Sequence, residues 1–313
     1  MILTFSPNPA LERVALVEPF ETTSEKKKRP MRVTTFAGGS GMRAASVIRL
    51  LGGDVLAIGF VGGHLGSLLR DGLDRQDIPH VLTPIASDTR GTFLLLDRER
   101  GVVTDVPESA PTFTGEEADR LIGSLERHLP HASLLILVDG QDESDPDFFS
   151  RALGAARAAN VPVIADLCGA ALHTAVAEGA FLIRVNLKTL QKQTERSLQH
   201  DYAILQEARA MLAQGVGHVV VTLAEEGALL VNADGAWRIK APIVSYFNPT
   251  GSGETLAGAL AVHWERTQDM VEAVRYGCAA ASVNVTHDEP GYATPGEVAI
   301  LFPRTTAVPV TVR

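Results

Sequence analysis

Short apolar runs alternating with stretches of helical periodicity extend through this chain, and that alternation constrains its fold more than any other feature. The run at 55–61 is continuously apolar, as a strand buried on both faces would be. Met42, Ala45, Val47, Ile48 and Leu51 instead recur at helical spacing and stop at Gly52-Gly53. The same reading predicts further strands at 2–6, 133–138, 161–165, 181–185 and 218–223. It predicts helices at 64–76, 114–128, 146–160, 202–214, 252–265 and 269–285, and a hairpin at 228–231 and 237–240. Strands separated by helices of this length pair in parallel. An α/β sheet covered by helices on both faces follows, with ligands bound beyond the carboxyl ends of its strands. The stretches 12–20, 31–37 and 80–97 are β-rich without crossover helices. They predict a small β-sheet, a lid, attached to the α/β body in a single domain over 1–313.

Charge and cysteine content narrow the partners. Lys and Arg total 28 against 37 Asp and Glu, a formal charge of −9, so no basic face for nucleic acid is expected. The charged run at 25–29 reads as a solvated turn, the alternative being a basic lip near an anionic ligand. Cys168 and Cys278 lie among small apolar residues and read as buried, reduced thiols. They are too few for a disulfide scaffold or a four-thiolate metal site. No apolar run approaches the ~20 residues that span a bilayer. A cytoplasmic protein with no membrane partner is expected. His173, His218, His263 and His287 show no metal-ligand spacing, and no protein metal site is expected.

Two glycine-rich loops each open a helix. In Asn248-Pro249-Thr250-Gly251-Ser252-Gly253-Glu254-Thr255, the glycines leave successive backbone N–H groups beside a helix N-terminus, an arrangement suited to an anion. A carboxylate directly after such a loop would repel a phosphate that is only bound. It is useful if it removes a proton from an alcohol attacking that phosphate. The other reading of Glu254 is a first-turn residue favoured by the helix dipole, and both stay open. The second loop is Phe36-Ala37-Gly38-Gly39-Ser40-Gly41. Its Gly39-x-Gly41-x-x-Ala44 spacing mimics a dinucleotide fingerprint, but Asp54 precedes its strand instead of ending it, so the fit fails.

With both loops in place, the sequence resembles the ribokinase-like, PfkB-type carbohydrate kinases, in particular the 1-phosphofructokinase and tagatose-6-phosphate kinase branch. The motifs are Asn8-Pro9-x-x-Glu12, Gly38-Gly39-Ser40-Gly41-Met42-Arg43, Arg184-Val185-Asn186, Thr222-Leu223 with Gly227-Ala228, and Gly251-Ser252-Gly253-Glu254 with Ala257-Gly258. The resemblance implies a three-layer α/β/α body with a β lid, and phosphoryl transfer from ATP with Mg²⁺ to a sugar or sugar-phosphate hydroxyl. It assigns Gly251, Ser252 and Gly253 to the transferring phosphate and Glu254 to the base. It places Glu12, Gly38, Gly39, Ser40, Arg43, Arg90 and Asp139 around the substrate, with Arg90 on a distal phosphate. Asn186 would act through water on the metal–phosphate cluster, and Thr222, Gly227 and Asn284 would line the nucleotide. It also implies dimerisation through the lid, with which the alternation of Val14, Leu16 and Phe20 is compatible.

The departures from the pattern are as specific as the matches. Glu12 and Glu254 stand for aspartates, Ser40 for a lysine, Arg43 for an asparagine and Thr189 for a glutamate, while Asp139-Gly140-Gln141-Asp142-Glu143 replaces a neutral stretch. Arg43 and Arg90 together suggest a two-arginine phosphate site, and the paired lengthening at 12 and 254 suggests a shifted or smaller substrate. A catalytically weak or inactive sugar-phosphate or nucleotide binder of the same fold is the alternative.

Overall fold

The computed structural model describes residues 1–18, 29–97, 99–139 and 145–310. Phe20, the charged residues at 25–28 and the stretch 140–143 lie outside them. The first part of the chain forms β1 (Ile2–Ser6), β2 (Ala10–Val17), β3 (Arg32–Gly38), α1 (Ser40–Leu50), β4 (Val55–Val61), α2 (Gly63–Arg75), β5 (His80–Pro84), β6 (Arg90–Asp97) and β7 (Val102–Pro107). The middle forms α3 (Gly115–His128), β8 (Leu134–Val138), α4 (Pro146–Ala158), β9 (Val163–Asp166), α5 (Gly169–Ala177), β10 (Leu182–Asn186), α6 (Leu187–Thr194), α7 (Asp201–Leu212) and β11 (His218–Thr222). The last part forms β12 (Ala228–Asn232), β13 (Gly235–Lys240), α8 (Ser252–Thr267), α9 (Met270–Asn284), α10 (Pro295–Leu301) and β14 (Thr306–Pro309).

Ten strands build one sheet in the order β14-β13-β12-β11-β10-β9-β8-β1-β4-β5. Its stretch from β11 to β5 is parallel, and the hairpin β12–β13 with β14 closes one side antiparallel. Alternate residues of each central strand enter two different cores. Leu135, Leu137, Val219 and Val221 pack with Leu121, Phe148, Leu172 and Ile204 of α3, α4, α5 and α7. Leu134, Ile136, Val138 and Val220 pack with Ile48, Leu69, Leu260 and Val274 of α1, α2, α8 and α9. This is the expected sheet between two helical layers. The helix ends are built as their sequences suggest: Thr114 and Glu117 form a reciprocal capping box on α3, and Asp145 caps α4 ahead of Pro146. Among the described residues, no helix is long and apolar enough to cross a membrane.

A second sheet of four strands, in the order β3-β2-β6-β7, stands on the body as a lid. Its composition corrects the expected one. The strand at 80–84 pairs with β4 at the edge of the large sheet, with His80 opposite Ala57, whereas β7 supplies a lid strand the sequence reading missed. Both are short edge strands with one wet face, and periodicity cannot assign such a strand to one sheet or another. Val14 is 3% exposed and packs with Leu94 and Leu96, with Leu16 and Phe247 against them. Val14 and Leu16 therefore face inward and cannot form the dimer stripe. The opposite face of the lid exposes Val33, Phe93, Val102 and Val106, with the Arg13 guanidinium 5.6 Å from the Phe93 ring centre.

The carboxyl ends of the parallel strands are tied by an ion pair. Arg184 is the charged side chain inside β10, between the buried Ile183 and Val185, and is itself largely buried at 12% exposure. Its Nη1 donates to both carboxylate oxygens of Asp166 at the end of β9 (2.9 and 3.0 Å), and its Nη2 to the Thr222 hydroxyl at the end of β11 (3.2 Å). Burial pushes the Asp166 carboxyl above its usual value, Arg184 opposing it and Glu254 adding to it. Replacing Arg184→Met strands that carboxylate and should cost about 3–5 kcal/mol. A carboxyl raised in the folded state favours folding when protonated, so the cost is smallest in acid and grows as pH rises through its folded value. Urea unfolding should show the loss, and Asp166→Asn in the same chain should return most of it. Equal losses in the single and double variants would contradict this account.

Candidate active site

The chain leaves β1 through Ser6-Pro7-Asn8-Pro9, enters the lid, and returns through β3 to the Gly38-Gly39 turn that opens α1. Gly39 has φ +83°, and a Cβ there would press on the backbone of Asn8 and Pro9, so the turn requires glycine. Gly38 has no side chain where the Glu12 carboxylate lies, and a Cβ would collide with it. Glu12, buried to 1% exposure, accepts the Gly39 N–H at 2.7 Å. The turn is thus a seat for one buried carboxylate. It is fed by an antiparallel lid strand, which removes the dinucleotide fingerprint reading.

Arg43, one turn into α1, meets that carboxylate side-on. Its Nε lies 3.1 Å from Oε2 of Glu12 and its Nη2 2.5 Å from Oε1. Its Nη1 lies 3.1 Å from Oε1 of Glu254 at the start of α8. Burial alone would lower the Arg43 pKa, but Glu12 and Glu254 outweigh it and raise it. Arg43 is therefore not the free phosphate cation that its position in sequence suggested. Arg90, at the start of β6, has a buried Nε with no partner among the described residues. Burial holds its guanidinium below the usual value, with Glu12 opposing and Arg43 reinforcing. That cation remains suited to an anionic ligand.

At the other loop, Gly251 (φ +81°) is the N-cap of α8, and no side chain caps that helix. The expected row of N–H groups narrows. The Ser252 N–H turns back to the Pro249 carbonyl at 3.1 Å, and the Glu254 N–H supports its own carboxylate. What joins Gly253 there is Arg184, so close beneath it that a Cβ on Gly253 would strike the guanidinium. The Arg184 Nε is buried and unpaired. The sequence reading gave Arg184 no role. The signal was present: a lone charge inside a buried strand, next to a strand ending in Asp166, needs a partner and a purpose.

Burial would push the Glu254 carboxyl up, but Arg43, its own N–H, Arg184 and the Ser40 hydroxyl together hold it below the usual glutamate value. It is a carboxylate at neutral pH. Glu254 lines a cavity of about 280 Å³ with Ser40, Asp139, Asp166, Asn186, Thr189 and the loop at 251–253. A larger cavity of about 430 Å³ lies across the loop, lined by Thr222, Gly227, Tyr246, Leu256, Ala281, Ser282 and Val285 among others. The two share Arg184, Pro249, Ser252 and Gly253. Thr222 and Gly227 both line this larger cavity. Asn284 does not: it is fully buried, its Oδ1 accepting from Thr255, Gly291 and Tyr292 and its Nδ2 donating to the Thr250 carbonyl. It braces the loop and leaves the cavity wall to its neighbours Ser282 and Val285.

Asp139 follows β8, is 3% exposed, and accepts from the Asn8 amide at 3.0 Å through both oxygens. It fastens the lid's entry to the body and still lines the smaller cavity. Asn186 caps α6 through the Thr189 N–H at 2.8 Å. Cys278 lines the larger cavity, and burial pushes its thiol up to about 12, so it is inert as expected. Among the described residues, no group of three His, Cys, Asp or Glu side chains could hold a metal ion.

Comparison with known proteins identifies the fold and the family. Residues 11–296 match the profile of the pfkB family carbohydrate kinase. Phosphofructokinase-2 from Escherichia coli, in complex with fructose-6-phosphate, superposes with a TM-score of 0.88 at 22% identity, covering 97% of this chain and 98% of that one. A Thermotoga maritima protein described as a possible 1-phosphofructokinase gives 0.88 at 17% identity, over 99% and 100%. Ribokinase from the same organism gives 0.74 at 19% identity, over 97% and 99%. These structures share the ribokinase-like fold with this chain. The match over nearly its whole length makes the chain a member of the pfkB family of carbohydrate kinases.

Proposed function

We propose that this protein transfers the γ-phosphoryl group of ATP to a hydroxyl of a sugar or sugar phosphate, with Glu254 as general base. The observation that carries the reading is the ionised Glu254 carboxylate at the loop where the two cavities meet. The larger, mostly apolar cavity suits a nucleoside. Gly253, the helix start and the unpaired Arg184 Nε suit its phosphates. ATP with Mg²⁺ supplies, when bound, the transferable phosphoryl group with part of its charge neutralised. Magnesium keeps much of its water and binds through substrate phosphates, so no protein cage is needed for it, and Asn186 and Thr189 stand at the cavity wall to hold its water.

The chemistry assigned to this chain is then simple. Glu254 accepts the proton of the attacking hydroxyl as the new O–P bond forms and the bond to the departing ADP breaks. Arg184 and the α8 N-terminus balance the negative charge of the phosphoryl group. Glu12 and Arg90 of the lid and Arg43 of α1 stand beside the acceptor, and Arg90 holds any phosphate the acceptor carries. A non-catalytic binder is the second reading, favoured by one observation: the base is ion-paired to Arg43.

ADP release measured with ATP, Mg²⁺ and a panel of hexoses and hexose phosphates separates the two. The kinase reading expects turnover, and Glu254→Gln should lower kcat by about 10²–10⁴-fold. A carboxylate held below its usual value keeps its base form to lower pH, so kcat/KM should fall only below the usual glutamate value of 4.5. Ligand-induced thermal stabilisation without turnover on any acceptor would support the binder.

The phosphofructokinase-2 relative is described in a tetrameric inhibited form. We infer that two copies of this chain pair through the exposed face of the lid, where Phe93 and Val106 face solvent. Sedimentation should show a dimer that Phe93→Asp with Val106→Asp converts to a monomer. A monomeric wild type would contradict the pairing.

A further inference from the structure

Glu12, Arg43 and Glu254 differ from the family pattern at three separated sequence positions, yet they form one cluster in space. Arg43 offers five N–H donors in a rigid plane. Two of its nitrogens grip Glu12 at 3.1 and 2.5 Å, and the third reaches Glu254 at 3.1 Å. The side chains are 1%, 12% and 14% exposed for Glu12, Arg43 and Glu254. Each depends on the others. Shortening either carboxylate by a methylene withdraws it by about 1.5 Å and breaks its contact. A neutral residue at 43 leaves the buried Glu12 without its paired guanidinium, with the Gly39 N–H and the charge of Arg90 as its remaining support. The extra length at positions 12 and 254 is therefore used to reach a guanidinium, which explains the paired lengthening without a smaller substrate.

We propose that Arg43 is a positioning residue for Glu254: anchored on Glu12, it sets where the Glu254 carboxylate sits at the junction of the two cavities. The proposal rests on Glu254 being the base of the proposed transfer. Arg43 and the Ser40 hydroxyl face Glu254 from α1, Arg184 from β10 and Asp166 from β9, while Asp139 after β8 lines the same cavity and Glu12 acts through Arg43. Against burial, which would raise the carboxyl, the two cations, its own backbone N–H and the Ser40 hydroxyl prevail, and the carboxylate form is favoured. When Glu254 takes the acceptor's proton it becomes neutral. Its attraction to Arg43 is then lost, but Arg43 stays in place because Glu12 still holds it. The anchor on the lid strand keeps the geometry through the proton transfer.

Two measurements test this. In protein labelled with [δ-¹³C]glutamate, the Glu254 signal is the one lost in Glu254→Gln. Its titration midpoint should lie below 4.5 in the wild type. It should rise by about one unit, a tenfold change in ionisation constant, in Glu12→Gln/Arg43→Met, which removes both buried partners together so that neither is stranded. An unchanged midpoint overturns the proposal. In the kinase assay, Glu254→Asp alone should lose about tenfold or more in kcat with KM for ATP within about twofold. Glu12→Asp/Arg43→Asn/Glu254→Asp should regain most of that loss, since the three residues act as a unit. An additive result, with the triple variant no better than Glu254→Asp, overturns the proposal. The titration needs no turnover. If the wild type releases no ADP with any acceptor, the kinase reading fails and the titration still decides the role of Arg43.

Discussion

Buried charge needs a partner, and the organisation of this site follows from how that demand is met at the carboxyl ends of the parallel strands. Two guanidiniums meet it. Arg184 pairs with Asp166 and Thr222 and so fastens three neighbouring strands where they end. Arg43 pairs with Glu12 and Glu254 and so fastens the lid to the helix that begins at the glycine loop. The two meet at Glu254, whose ionisation both support. Glycines at 38, 39 and 253 leave room where a side chain would displace one of these pairs or the turn beside it. Fold and site share the same interactions, since the contacts that hold the lid on the body also set the charge of the proposed base.

Much of this was legible in the sequence. The alternation of buried runs and helical stretches gave the parallel sheet and both helical layers, because strands buried on two faces and helices buried on one leave distinct periodicities. The glycine loops were legible because positive φ and close approach demand glycine. What was lost lies where periodicity carries no address. The strand at 80–84 could as well have been a lid strand as a sheet edge, and inward-facing Val14 and Leu16 have the same pattern as an exposed stripe. Short elements such as α5, α6, α10 and β14 fell below the length at which a pattern separates from chance.

At the site, residue type was legible but pairing was not. Glu12, Arg43 and Glu254 were each visible as candidates, but sequence positions 31 and 211 residues apart do not announce that they share a guanidinium. Asn284 was assigned to a ligand, but in the structure its amide bonds to Thr250 and Thr255 and to the turn at 291–292. Arg184 was the converse: overlooked as part of a motif, it links the two cavities. In both cases the deciding fact is where each donor and acceptor is satisfied, which a linear pattern does not encode.

The central claim is that Glu254 sits as a base where a nucleotide phosphate and an acceptor hydroxyl meet. It is tested most directly by a crystal structure with a non-hydrolysable ATP analogue, Mg²⁺ and a hexose phosphate. The account predicts the terminal phosphate at Gly253 and Arg184, with an acceptor hydroxyl about 3 Å from the Glu254 carboxylate. A nucleotide whose phosphates lie away from Gly253, or an acceptor with no hydroxyl within reach of Glu254, would contradict it.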